Sequence, residues 1–393
     1  MWHGTMMQIF MRAIVPAVVM PLLALALPVA IAATPAQTNA PAAPQTPVRV
    51  ETVAAGLVNP WGLQFLPDGR MLVTERPGRL RIIGKDGRLS PPVEGVPEVH
   101  ARGQGGLLDV RLATDFAMSG GIYLSLSEPR GWGASATTVV AARLDLAAAG
   151  SGARLVDVRP IFQQQPAQRT SHHYGSRIVP AKDGTLFITT GDRGLGGPAQ
   201  QPDVTIGKVI RINRDGSAPK DNPHKPGWAA EVWSIGHRNI QGAIVDPGSG
   251  QLWTVEHGAR GGDELNAPQA GGNYGWPVIS YGRNYDGSSI GVGSAQEGME
   301  QPVYYWDPSI ATSGLALYDG DLFKSWKGNL LVGGLAGARL ARLVMEGGRV
   351  VAQEVLLADR GERIRDVRVG HDGAVYLLVD DDDGKVLRVS PAS

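Results

Sequence analysis

Short apolar runs separated by turn signals follow one another along the chain from Val48 to its last residues. Asp68-Gly69 leads into an apolar run at 71–74, and Asp86-Gly87 closes one at 80–83. Asp183-Gly184 precedes 185–189, and Asp372-Gly373 precedes 374–379. Asp-Gly supplies the positive φ angles that tight hairpins demand, so each dipeptide predicts a turn between antiparallel strands. Further strands are predicted at 121–127, 138–144, 208–213, 251–256, 329–333 and 385–389. Helical periodicity is scarce, since the stretch 144–149 is short and ends at Gly150.

Recurring strand–turn units predict an all-β fold built by radial repetition, a β-propeller of four-stranded antiparallel blades. Roughly 345 residues at about 40–60 per blade allow six to eight blades, and the long inter-strand loops favour six. A sandwich or barrel is the competing arrangement. No composition break follows Val48, so residues 48–393 read as one domain.

Before Val48 the pattern changes. Residues 13–33 are apolar, interrupted by three prolines and preceded by Arg12. Ala30-Ile31-Ala32 fits an export-signal cleavage motif, so residues 1–33 read as a signal peptide and the protein as periplasmic. The run is also long enough to serve as an uncleaved anchor. Residues 34–47, rich in Ala, Pro, Thr and Gln, read as a linker, and no later stretch is apolar enough to span a membrane.

Composition narrows the chemistry. The 393 residues carry 37 Lys plus Arg and 37 Asp plus Glu, a formal net charge of zero. That balance argues against a general nucleic-acid binder. Gly and Pro make up about a fifth of the chain, against a usual combined share of about 12%. With 43% hydrophobic residues a large core is available, so the excess serves turns. Cysteine is absent, which excludes disulfides, Cys-ligated metals, a Cys nucleophile and covalent c-type haem.

Four clusters could carry chemistry. His172 and His173 precede one strand and Asp192 follows the next, an arrangement that suits a general base oriented by a carboxylate. The same residues also read as a structural histidine in a turn, and spacing alone does not separate the two. Gly236 to Gly242 sets Arg238 beside Asn239 between glycines, a donor-rich loop. Glu256 to Glu264, followed by Asn273 to Trp276, combines glycine-rich backbone with carboxylates, a set that suits calcium. Arg363 and Arg365, two apart in a predicted strand, face one side and suit an anionic ligand; a solvated strand with Asp366 as partner is the alternative. Asp380 to Asp383 reads as a solvated turn.

In order along the chain, Gly103 to Asp109, His173 to Arg177, Gly236 to Gly242, Glu256 to Glu264, Asn273 to Trp276 and Arg363 to Asp366 resemble the soluble aldose sugar dehydrogenases of the glucose/sorbosone dehydrogenase family. The resemblance spans Val48 to Ser393. It implies a six-bladed propeller with pyrroloquinoline quinone on the top face near the axis, and oxidation of an aldose at its anomeric hydroxyl to a lactone. It implies His173 as general base, with Asp192 orienting it. It further implies that Gln104, Arg238 and Asn239 contact the quinone and its reacting oxygens, and that Arg363 and Arg365 bind its carboxylates. Ser309 matches a small hydroxyl residue at the cofactor. The carbonyls of Gly258 and Ala259 would hold a calcium that also binds the quinone, and Glu264 with the carbonyl of Tyr274 a second, structural one.

One position departs from the family pattern: Ala336 stands where a lysine is common, and Arg339 is the nearby basic residue that could replace it. The identity of the sugar is expected to depend on loops such as 129–137 and 284–298. With no haem motif, electrons must leave to a separate or diffusible acceptor. Two rival readings are a calcium-dependent propeller lactonase, which needs acidic side chains converging on an axial ion, and a non-catalytic propeller that binds an envelope glycan or protein. Nothing in the sequence sets the oligomeric state.

Overall fold

The computed structural model describes residues 1–3, 36–146 and 152–392; the expected signal segment falls almost wholly outside them. From residue 36 onward the chain forms six antiparallel sheets, arranged as the blades of a propeller. The outermost strand of the last blade comes first in the chain, β1 (Val48–Leu57). Blade one holds β2 (Pro60–Phe65), β3 (Met71–Glu75) and β4 (Arg79–Ile83). Blade two holds β5 (Leu107–Leu112), β6 (Gly121–Pro129), β7 (Ser135–Asp145) and β8 (Arg154–Gln163). Blade three holds β9 (Ile178–Pro180), β10 (Thr185–Thr189), β11 (Lys208–Asn213) and β12 (Val232–Ile235). Blade four is β13 (Ile240–Val245), β14 (Leu252–Glu256), β15 (Asp263–Asn266) and β16 (Tyr304–Trp306). Blade five is β17 (Thr312–Leu317), β18 (Leu330–Gly334), β19 (Arg339–Glu346) and β20 (Arg349–Leu356). Blade six combines β21 (Ile364–Val369), β22 (Val375–Val379) and β23 (Gly384–Pro391) with β1, which pairs antiparallel with β23 and closes the ring.

The six blades agree with the pattern reading, with one difference. Blade one has three regular strands; its fourth edge is an irregular segment in which Ser90 and Val93 donate to the carbonyls of Ile82 and Leu80. The glycines of all four Asp-Gly turns have φ between +75° and +88°, as those hairpins require. Neighbouring blades cover both faces of each sheet, so inner strands such as β3, β10 and β18 are buried at every position. That explains their continuous apolar runs; each fully buried aliphatic side chain contributes about 1.5–3 kcal/mol.

The described part of the Ala/Pro-rich tract lies against blades four and five. Gln37 bridges to Tyr304 and Ala42 to Gln353, and Trp326 Nε1 donates to Thr46 Oγ1 at 3.1 Å. The packed unit therefore begins before Val48. Among the described residues no helix is long and apolar enough to cross a membrane.

On the axis the inner strands meet in a buried ion network. Arg177 reaches Asp109 at 3.2 Å and Asp366 at 3.1 Å, and Arg368 reaches Asp366 at 2.9 Å. The Arg177 guanidinium also lies 4.1 Å over the Trp61 ring. Asp366 thus pairs with Arg177 and Arg368 and not with Arg363 or Arg365, which corrects the partner expected for it.

Candidate active site

In an antiparallel four-stranded blade, the loop entering the first strand and the loop joining the second to the third lie at one end. At that end a cavity of about 240 Å³ opens, and all six blades contribute to its wall. Arg76 follows β3, Gln104 precedes β5, Tyr174 precedes β9, His257 follows β14, Ala336 follows β18, and Arg363, Arg365 and Asp380 come from blade six. Contributions from every blade place the cavity at the propeller axis.

Beside it stands His173, at φ +50°, a left-handed conformation uncommon for a residue with a side chain. Its Nδ1 lies 2.6 Å from Asp192 Oδ1, and its backbone N–H donates to Gln104 Oε1 at 2.8 Å. Gly191 permits the approach of this loop, because a Cβ there would sit 2.1 Å from the His173 carbonyl oxygen. Asp192 also accepts hydrogen bonds from Gly194 N at 2.8 Å and Trp276 Nε1 at 2.7 Å. Burial disfavours its charge, but the bonds from His173 and Gly194 and the charge of Arg238 outweigh it and hold the carboxyl below its ordinary range. The carboxylate therefore fixes the imidazole with Nδ1 as its partner and, among the described residues, leaves Nε2 without a protein hydrogen bond.

The rest of the site is short of acceptors. Among the described residues, Arg76 Nε, Arg238 Nε, Asn239 Nδ2, His257 Nε2 and Arg365 Nε are buried without a hydrogen-bond partner. Among the residues lining the cavity, three guanidiniums face one carboxylate, Asp380. Asp380 accepts from Arg365 at 2.9 Å and lies 3.8 Å from Arg363 and 4.0 Å from Arg76. Burial and then the charges of Arg238, Arg365 and His173 push the His257 imidazole down to about 3, so it stays neutral. Buried donors without acceptors, in a cationic cavity walled by Trp61, fit a flat, polyanionic ligand that carries carbonyl oxygens.

A smaller cavity, about 10 Å³, adjoins the first and is bordered by Arg238, Glu256, His257, Gly258, Glu264 and Tyr274. Glu256 and Glu264 face each other in register across β14 and β15. Burial and the neighbouring Glu256 push Glu264 up to about 8, and its one hydrogen bond comes from Asn266 at 3.1 Å. An under-paired carboxylate beside main-chain carbonyls fits a hard cation. Among the described residues no cluster of three or more acidic or histidine side chains is grouped for a metal, so most ligands here would be backbone carbonyls or water.

Gln104, Arg363 and Arg365 line the larger cavity, and Arg238, Gly258, Glu264 and Tyr274 the smaller one. His173, Asp192 and Asn239 line neither; His173 is held to Gln104, Asp192 to His173, and Asn239 Oδ1 accepts from Gly175 N at 3.2 Å. Ala259 borders neither and pairs with Gly261 in a bridge. Ser309 Oγ is turned to Asp263 Oδ1 at 2.7 Å; Asp263 also accepts from Gly258 N at 2.9 Å and so ties the two loops together. Asp380 is a correction: it is buried between arginines, while Asp381, Asp382 and Asp383 form the exposed turn. Arg339 folds back on the Gly337 carbonyl at 3.1 Å, and Arg76 is the third arginine on the cavity wall. The 129–137 loop is a tight hairpin, with 135–137 already in β7. Sequence reading missed Trp61, Arg76 and Asp380 as cavity residues, because each reaches the axis from a strand or turn that carries no motif; Gln241 lies within the Gly236–Gly242 motif but was not singled out there.

Fold and site together define a six-bladed propeller whose axial, donor-rich cavity suits an anionic ligand beside a histidine–carboxylate pair. Residues 57–388 match the glucose/sorbosone dehydrogenase family, and the chain belongs to that family of oxidoreductases. It is 45% identical over 357 residues to aldose sugar dehydrogenase YliI of Escherichia coli K12, covering 89% of this chain and 94% of that one. The apo structure of the soluble aldose sugar dehydrogenase from E. coli aligns with a TM-score of 0.84 at 44% identity, over 88% of this chain and all of the other. The pyrroloquinoline-quinone-bound aldose sugar dehydrogenase of Streptomyces coelicolor aligns with a TM-score of 0.73 at 30% identity, with 88% and 100% covered.

Proposed function

We propose that this protein is a periplasmic quinoprotein that oxidises the anomeric hydroxyl of aldose sugars to lactones, with His173 as general base. The observation that carries the reading is the 2.6 Å His173–Asp192 contact beside a cavity rich in unpartnered donors. Pyrroloquinoline quinone, when bound, supplies the acceptor for the hydride that leaves the anomeric carbon. Arg363 and Arg365 would hold its carboxylates, and Gln104, Arg238 and Asn239 its carbonyl side. His173 Nε2 takes the hydroxyl proton, and Asp192 stabilises the imidazolium that forms. Gln104 holds the His173 backbone and so the direction of the ring. The Gly258 carbonyl would coordinate a calcium at the cofactor, joined by that of Ala259 only if its loop turns toward the cavity, and Glu264 with the Tyr274 carbonyl would hold a second one. Electrons then pass to a separate or diffusible acceptor.

The apolar N-terminal run with its Ala30-Ile31-Ala32 motif supports export. The lactonase alternative needs acidic side chains free to converge on an axial ion. The axial carboxylates Asp109 and Asp366 are instead engaged by Arg177 and Arg368.

The test is reconstitution of the purified protein with quinone and calcium, followed by dye reduction against a panel of aldoses, with magnesium as control. Turnover that requires both quinone and calcium is the expected result. Failure to bind quinone at all would overturn the reading in favour of a binding module. A His173→Ala protein that binds quinone normally and turns over at the wild-type rate would remove His173 as base.

A further inference from the structure

The loop between β10 and β11, residues 190–207, leaves the sheet with Asp192 near its start and returns at Lys208. We propose that Lys208 is a positioning residue whose ammonium group staples this loop and so holds Asp192 against His173. The inference rests on the functional reading of that pair.

Lys208 is fully buried, a costly place for a charge unless its hydrogens are satisfied. Its Nζ donates to the carbonyls of Pro198 at 2.8 Å, Ala199 at 3.0 Å and Ile206 at 2.5 Å. Three acceptors match the three hydrogens of an ammonium group. They come from both arms of the loop, so one side chain closes it much as a bound cation would. Among the described residues no carboxylate touches it; Asp203 acts from a distance and only partly offsets burial, which pushes the group down to about 7. Its backbone is locked in turn, with N–H to Thr190 Oγ1 at 3.0 Å and carbonyl to Thr190 N at 2.9 Å.

From this cage the contacts lead back to Asp192 by two routes. Within the loop, Gly194 N and Gly196 N donate to the Asp192 carboxylate at 2.8 and 3.3 Å. Across it, Gln200 Nε2 donates to the Trp276 carbonyl at 2.8 Å, and Trp276 Nε1 donates to Asp192 Oδ2 at 2.7 Å. The carbonyl of Ala199, already held by Lys208, also receives Gly236 N at 2.9 Å, two residues before Arg238. Opening the cage would release both supports of the carboxylate together.

The experiment uses Lys208→Met, which removes the donors at similar volume, and Lys208→Gln, which keeps two donors and guards against misfolding. In the protein without cofactor, hydrogen exchange across 192–201 is expected to rise about tenfold or more, while β10, β11 and the other blades stay within about twofold. In the reconstituted enzyme kcat is expected to fall about 10–100-fold with KM little changed. The double variant with Asp192→Asn should be no slower than Asp192→Asn alone, within about twofold, if Lys208 acts through Asp192. Exchange that rises evenly over all blades, unchanged exchange, or fully additive rate losses would each overturn the proposal. Loss of folding in both variants would make Lys208 a stability residue and overturn it as well. Full activity in His173→Ala would sink the functional reading but leave the local exchange result standing, so the two failures are distinguishable.

Discussion

Two histidine–carboxylate pairs occupy equivalent places in adjacent blades, and they have different uses. His173 and His237 each precede the first strand of a blade, β9 and β13, and each partner lies 19 residues further on, after β10 or at the end of β14. In both, ring Nδ1 meets the carboxylate, at 2.6 Å for Asp192 and 2.9 Å for Glu256. The surroundings differ. The His173 side chain is 14% exposed with Nε2 free, whereas His237 is 0% exposed and its Nε2 meets Ser234 Oγ at 2.9 Å. The His237 ring is also stacked on Tyr274, with centroids 4.8 Å apart. Both its nitrogens are committed, and it has no route to a ligand. Its carboxylate instead accepts from Arg238 N at 2.7 Å, so this pair shapes the loop that carries Arg238. Spacing and hydrogen-bond geometry thus give the same motif twice; only His173 keeps an exposed ring nitrogen, which is what the proposed base requires.

The sharpest way to break this comparison is to remove each histidine. His173→Ala should lower kcat by about 10³-fold, within the range for a lost general base, with quinone affinity nearly unchanged by titration. His237→Ala should instead lower stability by about 1–3 kcal/mol in denaturant unfolding, because Glu256 and Ser234 lose a buried partner. A reversal of these two outcomes would refute the assignment.

The next effect in size concerns the carboxylate. Asp192→Asn should lower kcat by about 10²-fold, since the amide no longer stabilises the imidazolium. The pH dependence has a definite sign. The Asp192 carboxyl is lowered from its ordinary value of 3.8, so the stability it contributes is present above that value and is lost as pH falls through its folded value. The stability difference between wild type and Asp192→Asn should therefore be flat through neutral pH and shrink only in acid below about pH 4. Unfolding curves at a series of pH values check this.

A residue outside both pairs sharpens the contrast between binding and chemistry. Arg365→Ala should weaken quinone binding by about 10–100-fold, the loss of a charge-assisted contact, with kcat at saturating quinone less affected. Arg339→Ala should change affinity less than about twofold, because its guanidinium is turned to its own loop. Smallest of all is Ser234→Ala, which removes one hydrogen bond from the buried pair. It should cost about 1 kcal/mol of stability and leave kcat within about twofold. A large rate loss there would mean that the second pair does more than support.

The arginines show how much of the site was legible. Arg363 and Arg365 were readable as a pair from their spacing, and both line the cavity, although β21 begins at Ile364 and its pairing shifts register between Ile364 and Asp366, so strand periodicity is not what turns them the same way. Their partner was not readable: Asp366 is adjacent in sequence, yet the axial network takes it, and Asp380 turns in from the next hairpin. Arg76 reaches the same cavity from blade one, some 290 residues away in the chain, and no local pattern could link it to Arg365.

By itself the sequence determined ten of the strands, the Asp-Gly turns between them and the blade class, since short apolar runs and Asp-Gly chemistry act over a few residues and need no distant partner. The motif residues from Gln104 to Arg365 were likewise visible as types and spacings. Tertiary structure alone decided which of the two histidines is free to act, which carboxylate each arginine meets, and that a buried lysine closes the loop behind Asp192. The physical reason is that protonation, hydrogen-bond satisfaction and access to solvent depend on what surrounds a group. In a closed ring of blades those surroundings come from chain segments far apart in sequence.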